Sequence, residues 1–485
     1  MANPKQLRRL FSHPTEAMDG GGREQLLYVA CSSYSPPASS PRPDFLATVD
    51  VDPQSSSYGE VIHRLNMPHE GDEISNLGWN TCMSCYGEDE NASHEMLVIT
   101  SLKSSRVYVV NVASDPRSPV LQKVIEDDTI RERSGLTSPT TSHCLGFGQV
   151  MVSAYDKDET DNKGGFIVLD GENLDVKERW DNGDAANVFG HDFWYQLLTH
   201  NVLISSAGWG RRDIFDGNIT LAEAIVYGTS SHTLHVWDFE KRTVVQTVDL
   251  GLGGAVPMSV RFLHDADRDE GFVSSACGDG IFRFYKTAEN TWKATKVIST
   301  PHQKIEGSDA LTSLPAMTTD MVLSLNDRYL YCCNWLQGDV RQYDITDTQK
   351  PQLVSQLYLT RTSNKVNEII GQSEVDVKGR KIPGGPSNIT LSLDGKRLYV
   401  TMSLFSKWDA EIYPEMTKNG STLVMIDVDT ENGGLSLNQN FLVDFSSDGD
   451  STAPACPVLA KQMRYPGGDC TSDIFLSLCS FSPKK

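Results

Sequence analysis

Basic residues are scarce in this chain, and so are cysteines, long apolar runs and long helical periodicity. Lys and Arg total 43 against 64 Asp and Glu, which leaves a formal net charge of −21 and a pI near 4.9. A nucleic-acid backbone requires a basic face, and an anionic lipid surface requires the same, so neither partner class is expected. No run reaches the roughly 18 consecutive apolar residues of a membrane-spanning helix, so no span is expected. The opening residues, MANPKQLRRLFSHPTEAMDGGGREQ, lack the apolar stretch of a secretory signal. The expected compartment is the cytoplasm, with the nucleus as an additional site. Ten cysteines in 485 residues are too few for a disulfide scaffold, and reduced thiols are expected. The Asn-x-Ser/Thr matches at Asn91, Asn218, Asn388 and Asn419 then read as chance. No phosphate loop, Gly-x-Ser-x-Gly elbow or His-Glu-x-x-His occurs.

What is present is a repeat. An apolar strand end, usually carrying Asp, recurs as VDVD (49–52), VVNV (109–112), VLDG (168–171), VWDF (236–239), RFYK (283–286), QYDI (342–345) and MIDV (425–428). Successive copies stand 60, 59, 68, 47, 59 and 83 residues apart. One supersecondary unit per copy, with loops of variable length, is the pattern of a β-propeller. Two further segments, LSLNDRYLYCCNW (323–335) and LSLDGKRLYVTMS (391–403), align without a gap. Each reads as strand, tight turn, strand, because Asn-Asp and Asp-Gly tolerate positive φ. EMLVITSLKSSRVYVVNV (95–112) reads as two more strands. The predicted fold is all-β: a single propeller of seven blades spanning 1–485, with 1–24 as a flexible leader. Segments 126–142, 207–226, 360–387 and 404–420 read as long rim loops. LLYVAC (26–31) and DIFLSL (473–478) lie outside the repeats, and one of them is expected to complete the other's blade and remove an open edge.

Cys82 and Cys85 form a Cys-x-x-Cys in GWNTCMSCYG. That spacing suits selenium or redox chemistry, or two ligands of a metal site, while two inert buried thiols are the competing reading. Adjacent Cys332 and Cys333 should point to opposite faces of a strand and pack. Cys470, in RYPGGDCTSD, reads as packed or as exposed and reactive. Six histidines stand near strand ends: His143, His191, His200, His232, His235 and His264. Neutral imidazole is the commonest metal ligand, and a propeller can gather such residues from different blades. For any one of them, hydrogen bonding within its own sheet is the alternative.

These strings, with KGGFIVLDGE (163–172), RFLHD (261–265) and NWLQGDVRQYDI (334–345), resemble the selenium-binding protein family, which includes methanethiol oxidases. The resemblance runs from about residue 13 to 475. It implies a propeller, a cytosolic location, association with selenium and, in active members, copper-dependent oxidation of methanethiol to formaldehyde, hydrogen sulfide and hydrogen peroxide. Carried over position by position, Cys82 and Cys85 match the family Cys-x-x-Cys. His143, His264, one of His232 or His235, and His200 match family histidines. Other positions depart. Ser75 and Asn76 replace a His-His pair, Thr140 and Gln337 replace single histidines, and Gly59 stands where vertebrate members carry a selenium-associated cysteine. The favoured expectation is a family member that binds selenium through thiols and takes small sulfur or selenium compounds, with metal-dependent thiol oxidation at most residual. An active copper enzyme is the second reading. A non-catalytic platform for protein partners is the third.

Overall fold

A computed structural model describes residues 14–35, 41–81, 95–145, 149–156, 163–171, 173–182, 191–196, 201–215, 219–227, 231–265, 267–304, 313–360, 375–446 and 456–466. Seven four-stranded antiparallel sheets follow one another as the blades of a propeller. From axis to rim, blade 1 is Val458–Arg464, Leu26–Ser33, Pro43–Asp50 and Val61–Glu70. Blade 2 is Ile74–Trp79, Met96–Ser101, Val107–Asn111 and Val120–Ile125, and blade 3 is Leu136–Leu145, Gln149–Asp156, Gly164–Asp170 and Val176–Arg179. Blade 4 is Phe193–Gln196, Val202–Ser206, Thr233–Asp238 and Thr243–Asp249, and blade 5 is Pro257–Phe262, Glu270–Ser275, Gly280–Lys286 and Trp292–Ser299. Blade 6 is Thr318–Leu323, Tyr329–Asn334, Asp339–Asp344 and Gln352–Tyr358, and blade 7 is Asn388–Leu391, Arg397–Thr401, Thr422–Val428 and Leu435–Asp444.

Every copy of the sequence repeat falls at the end of a third strand, so the repeat counts the blades. The two aligned hairpins are the first turns of blades 6 and 7. Asp327 (φ 54) and Gly395 (φ 71) occupy the same left-handed position in them, and Ser324 and Ser392 each donate to the next turn residue but one over 2.7 Å. Cores lie between blades rather than within them. Cys332 packs in the apolar cluster with Phe272 and Met321, and Cys333 packs in a different cluster with Tyr331 and Val340, as strand alternation requires.

The ring closes through the chain's two ends. Leu26–Ser33 pairs antiparallel with Val458–Arg464, in the register Tyr28↔Arg464, Val29↔Met463 and Ser33↔Val458. The expected closing segment 473–478 lies outside the described residues. The strand that closes is VLAKQMR, which polar Lys461, Gln462 and Arg464 hide from an apolar-alternation reading because they face the axis. The expected flexible leader is also partly ordered. Pro14–Gly20 is a helix with Ala17 buried, and buried Glu24 accepts from Arg397 Nε (2.6 Å), Arg397 Nη2 (2.9 Å) and the Tyr399 hydroxyl (2.6 Å).

Three of the four expected loops carry helices: Asp127–Ser134, then Arg211–Phe215 with Leu221–Tyr227, then Ser406–Ile412 with Pro414–Asn419. Each is at most eight residues, too short for an apolar period to stand out, and tertiary packing rather than propensity holds it. Segment 126–142 also contains the first half of blade 3's inner strand.

Side chains tie neighbouring inner strands around the axis. Gln462 Oε1 accepts from Leu77 N (2.7 Å), Asn76 Oδ1 from Ser142 N (3.3 Å), Asp192 Oδ2 from Val260 N (3.0 Å) and Asp320 Oδ2 from Ile389 N (3.1 Å). The remaining joints use hydroxyls. Thr141 donates to His191 O (2.9 Å), Ser259 to Asp320 Oδ1 (3.3 Å) and Thr390 to Met463 O (3.2 Å).

Truncation of the chain before Cys456 removes the inner strand of blade 1 and exposes the apolar faces it covers. The expected outcome is loss of the cooperative thermal transition of the full chain with a gain in hydrophobic-dye fluorescence. Near-ultraviolet circular dichroism melts check it, and a retained cooperative melt would show that the ring closes without this strand.

Candidate functional site

The inner strands surround an axial cavity of about 90 Å³, room for a few waters or a very small molecule. Its wall is built in tiers, because each inner strand enters the axis in the same register. In blade order, one tier is Lys461, Ser75, Thr140, His191, Met258, Thr319 and Ser387. The next residue along each strand forms the second tier: Gln462, Asn76, Thr141, Asp192, Ser259, Asp320 and Asn388. Two positions further lie Arg464, His143 and Arg261. Leu102, Tyr155, Ile214, Leu404 and Phe405 add an apolar portion to this polar wall.

Arg261 is the hub of the charged part. Its Nη1 donates to Asp192 Oδ2 (2.6 Å), its Nη2 to Asp320 Oδ1 (3.3 Å), and its guanidinium stacks 4.7 Å from the Trp194 ring centre. Burial pushes both carboxyls up. At Asp192 the Arg261 guanidinium overcomes it and holds the group below the usual carboxylate range, whereas Asp320 stays raised. His143 is buried to 1% exposure with its Nε2 3.6 Å from Asp192 Oδ1 and no hydrogen bond at either ring nitrogen. Burial lowers its pKa, so it is a neutral imidazole, edge-on to Phe193 and Trp194. His191 is likewise lowered by burial.

Of the six histidines considered as metal ligands, His143 and His191 line this cavity among the described residues. His235 sits on the third strand of blade 4, two inter-strand spacings or roughly 10 Å outside the inner strand. Burial brings it down to about 4, and its ring nitrogens face Thr233 (3.3 Å) and Thr247 (3.4 Å). His232 is half-exposed and pairs with Asp249 (2.7 Å). His264 lies beyond the inner strand of blade 5, with its Nδ1 2.9 Å from Asp327 Oδ1 in the first turn of blade 6. Cys82, Cys85, His200 and Cys470 lie outside the described residues. Gly59 adopts φ 79, a conformation that strains any side chain.

Three of the substituted positions converge beside the retained His143. Ser75, Asn76 and Thr140 line one cavity with His143, and Gln337 instead braces Arg341 (2.6 Å) and Pro301 O (3.1 Å). Hydroxyls and amides bind copper poorly beside imidazole or thiolate. Among the described residues no three His, Cys, Asp or Glu side chains group as a metal site. Among the described residues the cavity wall offers copper imidazole nitrogen only from His143 and His191, and its other polar groups are poor copper ligands. Residues that composition and repeats did not single out are Asp192, Arg261, Asp320 and Lys461. Their only signal is a place on or beside an inner strand, which is invisible until the blades are aligned on those strands.

A second charged cluster joins the cavity to blade 2. Buried Glu73 holds Lys461 (3.0 Å) and Lys103 (2.8 Å) and accepts from Ser406 N (2.8 Å) and Ser406 Oγ (2.7 Å). Burial opposes its charge, but the two ammonium groups keep it well below the usual carboxylate range. Nearby Asp409 accepts from Ser403 Oγ (2.6 Å) and Leu404 N (3.2 Å), and burial lifts it to about 7 despite Lys461.

Two outcomes are expected. Asp192→Ala leaves Arg261 buried with half its partners and should cost about 3 kcal/mol in urea unfolding, with the spectrum of the folded state unchanged. Asp409 is raised from 3.8 to about 7, so across that window the folded state holds a proton that the unfolded chain has released. Stability therefore falls as pH rises from about 4 to about 7, and Asp409→Asn should flatten that decline. Thermal melts across this range check it, and an unchanged slope would mean that Asp409 titrates normally.

The whole chain has relatives. A family model described as 56 kDa selenium binding protein matches residues 8–476. Methanethiol oxidase of Xenopus laevis is 47% identical over 475 residues, covering 96% of this chain and 98% of that one. Selenium-binding protein 2 of Mus musculus is 46% identical over 477 residues with the same coverage. The crystal structure of a hypothetical selenium-binding protein from Sulfolobus tokodaii superposes with a TM-score of 0.83 at 30% identity, over 96% of this chain and 98% of that one. The seven-bladed chain with its closing strand at the axis therefore belongs to the selenium-binding protein family.

Proposed function

We propose that this protein binds small sulfur or selenium compounds, retaining selenium through Cys82 and Cys85, and that copper-dependent methanethiol oxidation is not its activity. The observation that carries the reading is the state of the other thiols among the described residues. Cys31, Cys144, Cys277, Cys332, Cys333 and Cys456 are all buried. Burial pushes the Cys31, Cys277 and Cys333 thiols far up and Cys332 to about 12, so none of these four offers a thiolate near neutral pH. The Cys-x-x-Cys follows in sequence directly after the inner strand of blade 2, whose Ser75 and Asn76 line the axial cavity. A cavity with a polar wall and an apolar portion suits a compound of a few heavy atoms with one polar end. The names of the relatives, selenium-binding protein and methanethiol oxidase, support the same compound class.

Labelled selenite should remain on the purified protein after a denaturing wash and be lost in Cys82→Ser or Cys85→Ser. Equal retention in both variants would move the site elsewhere. In the same preparations copper should stand far below one atom per chain, and methanethiol should release no hydrogen sulfide. Stoichiometric copper with hydrogen sulfide release would instead establish the oxidase reading.

A further inference from the structure

The axial cavity is covered by two chain excursions that belong to no sheet. One leaves blade 4 after Ser206 and carries the helices Arg211–Phe215 and Leu221–Tyr227. The other leaves blade 7 after Thr401 and carries Ser406–Ile412 and Pro414–Asn419. Ile214 of the first, with Leu404 and Phe405 of the second, lines the cavity. The excursions meet each other. Trp209 and Trp408 stack edge-on at 4.8 Å, Lys407 Nζ donates to Asp213 O (3.2 Å), and Leu221 N donates to Glu411 Oε2 (2.9 Å).

The seam beneath them is incompletely satisfied. The indole N–H groups of Trp209, Trp335 and Trp408 are buried without an acceptor. Trp335 belongs to blade 6 and packs edge-on against Tyr413 of the second excursion at 5.1 Å. Buried donors are normally bonded, and an unbonded one carries its desolvation cost in full. Separating the seam hydrates such donors and relieves that cost. The ladders of the blades do not depend on the seam, so the ring gains nothing by opening with it. Against opening stand the burial of Phe405, Trp408 and Met416, the Lys407 and Glu411 contacts above, the bond from Lys461 Nζ to Leu404 O (2.9 Å) and a contact through a buried carboxylate. Glu73, from the link between blades 1 and 2, takes both Ser406 N and Ser406 Oγ at the start of the second excursion. Two ammonium groups, Lys461 and Lys103, fix that carboxylate in place. Gly420, at φ 81, ends the excursion in a conformation open to few other residues, a suitable pivot.

We propose that the second excursion, residues 403–420, is a gate over the axial cavity, latched by Glu73, which lifts from blades 2 and 6 while the seven-bladed ring stays closed. Its closed state is the one described above. Its open state exchanges the Glu73–Ser406 contacts and the aromatic seam for water. Its purpose rests on the reading that the cavity receives a ligand, but its movement does not.

Hydrogen–deuterium exchange of the full chain, without selenium or thiol added, tests it separately from ligand binding. The amides of Asp409, Tyr413 and Gly420 are hydrogen-bonded within the excursion and report on its opening. Glu73→Gln should accelerate exchange in peptides spanning 403–420 by about tenfold, and Ser406→Ala by a smaller factor, with Thr422–Val428 and Val458–Arg464 unchanged. Wild-type rates at 403–420 in both variants would overturn the gate. So would equal acceleration of the excursion and the inner strands, which is global loosening. Ser406→Ala, which removes one hydroxyl, keeps the test available should Glu73→Gln fail to fold.

Discussion

Everything at the axis depends on the antiparallel pairing of Val458–Arg464 with Leu26–Ser33. That pairing closes the ring and removes the edges an open array of sheets would leave. It also delivers chemistry. Lys461, Gln462 and Arg464 reach the cavity only because this strand is the innermost of its blade. Lys461 then fixes Glu73, and Glu73 fixes the start of the helix Ser406–Ile412. A single strand thus connects ring closure, cavity charge and cavity cover.

The third strands were legible in the sequence, and the inner strands were not. A third strand ends in an apolar pair and usually an Asp because it must pack on both faces and then start a turn. Asp238 and Asp344 show the consequence, accepting backbone N–H groups in the turns that follow. That demand is the same in every blade, so the pattern repeats. An inner strand faces neighbours on both sides and also the axis, and each axial position meets different partners. Lys461, Ser75, Thr140 and His191 occupy one tier yet bring an ammonium, two hydroxyls and an imidazole to it. The short helices were hidden for another reason. The eight residues of Asp127–Ser134 are too few to show a period, and burial of Ile130 and Ser134 holds them.

The candidate site divides along the same line. Family resemblance identified Ser75, Asn76 and Thr140 as departures, and the fold shows that they share one cavity. It could not show that His235 lies on a third strand, or that His264 is taken up by a turn of the next blade. Asp192 and Asp320 satisfy backbone groups of neighbouring blades as well as Arg261. Buried charges are tolerated there because each has a partner and a structural use.

The closing strand also sets a timetable for synthesis. Tyr28 and its partner Arg464 are separated by more than four hundred residues. At about 5–20 residues per second, translation leaves the free edge of Leu26–Ser33 without its partner for on the order of 20–90 s. Throughout that interval the earliest blade offers a buried-type apolar edge to any passing strand. Until the last blade strand emerges, the ring cannot be sealed, because the partner of Leu26–Ser33 is Val458–Arg464.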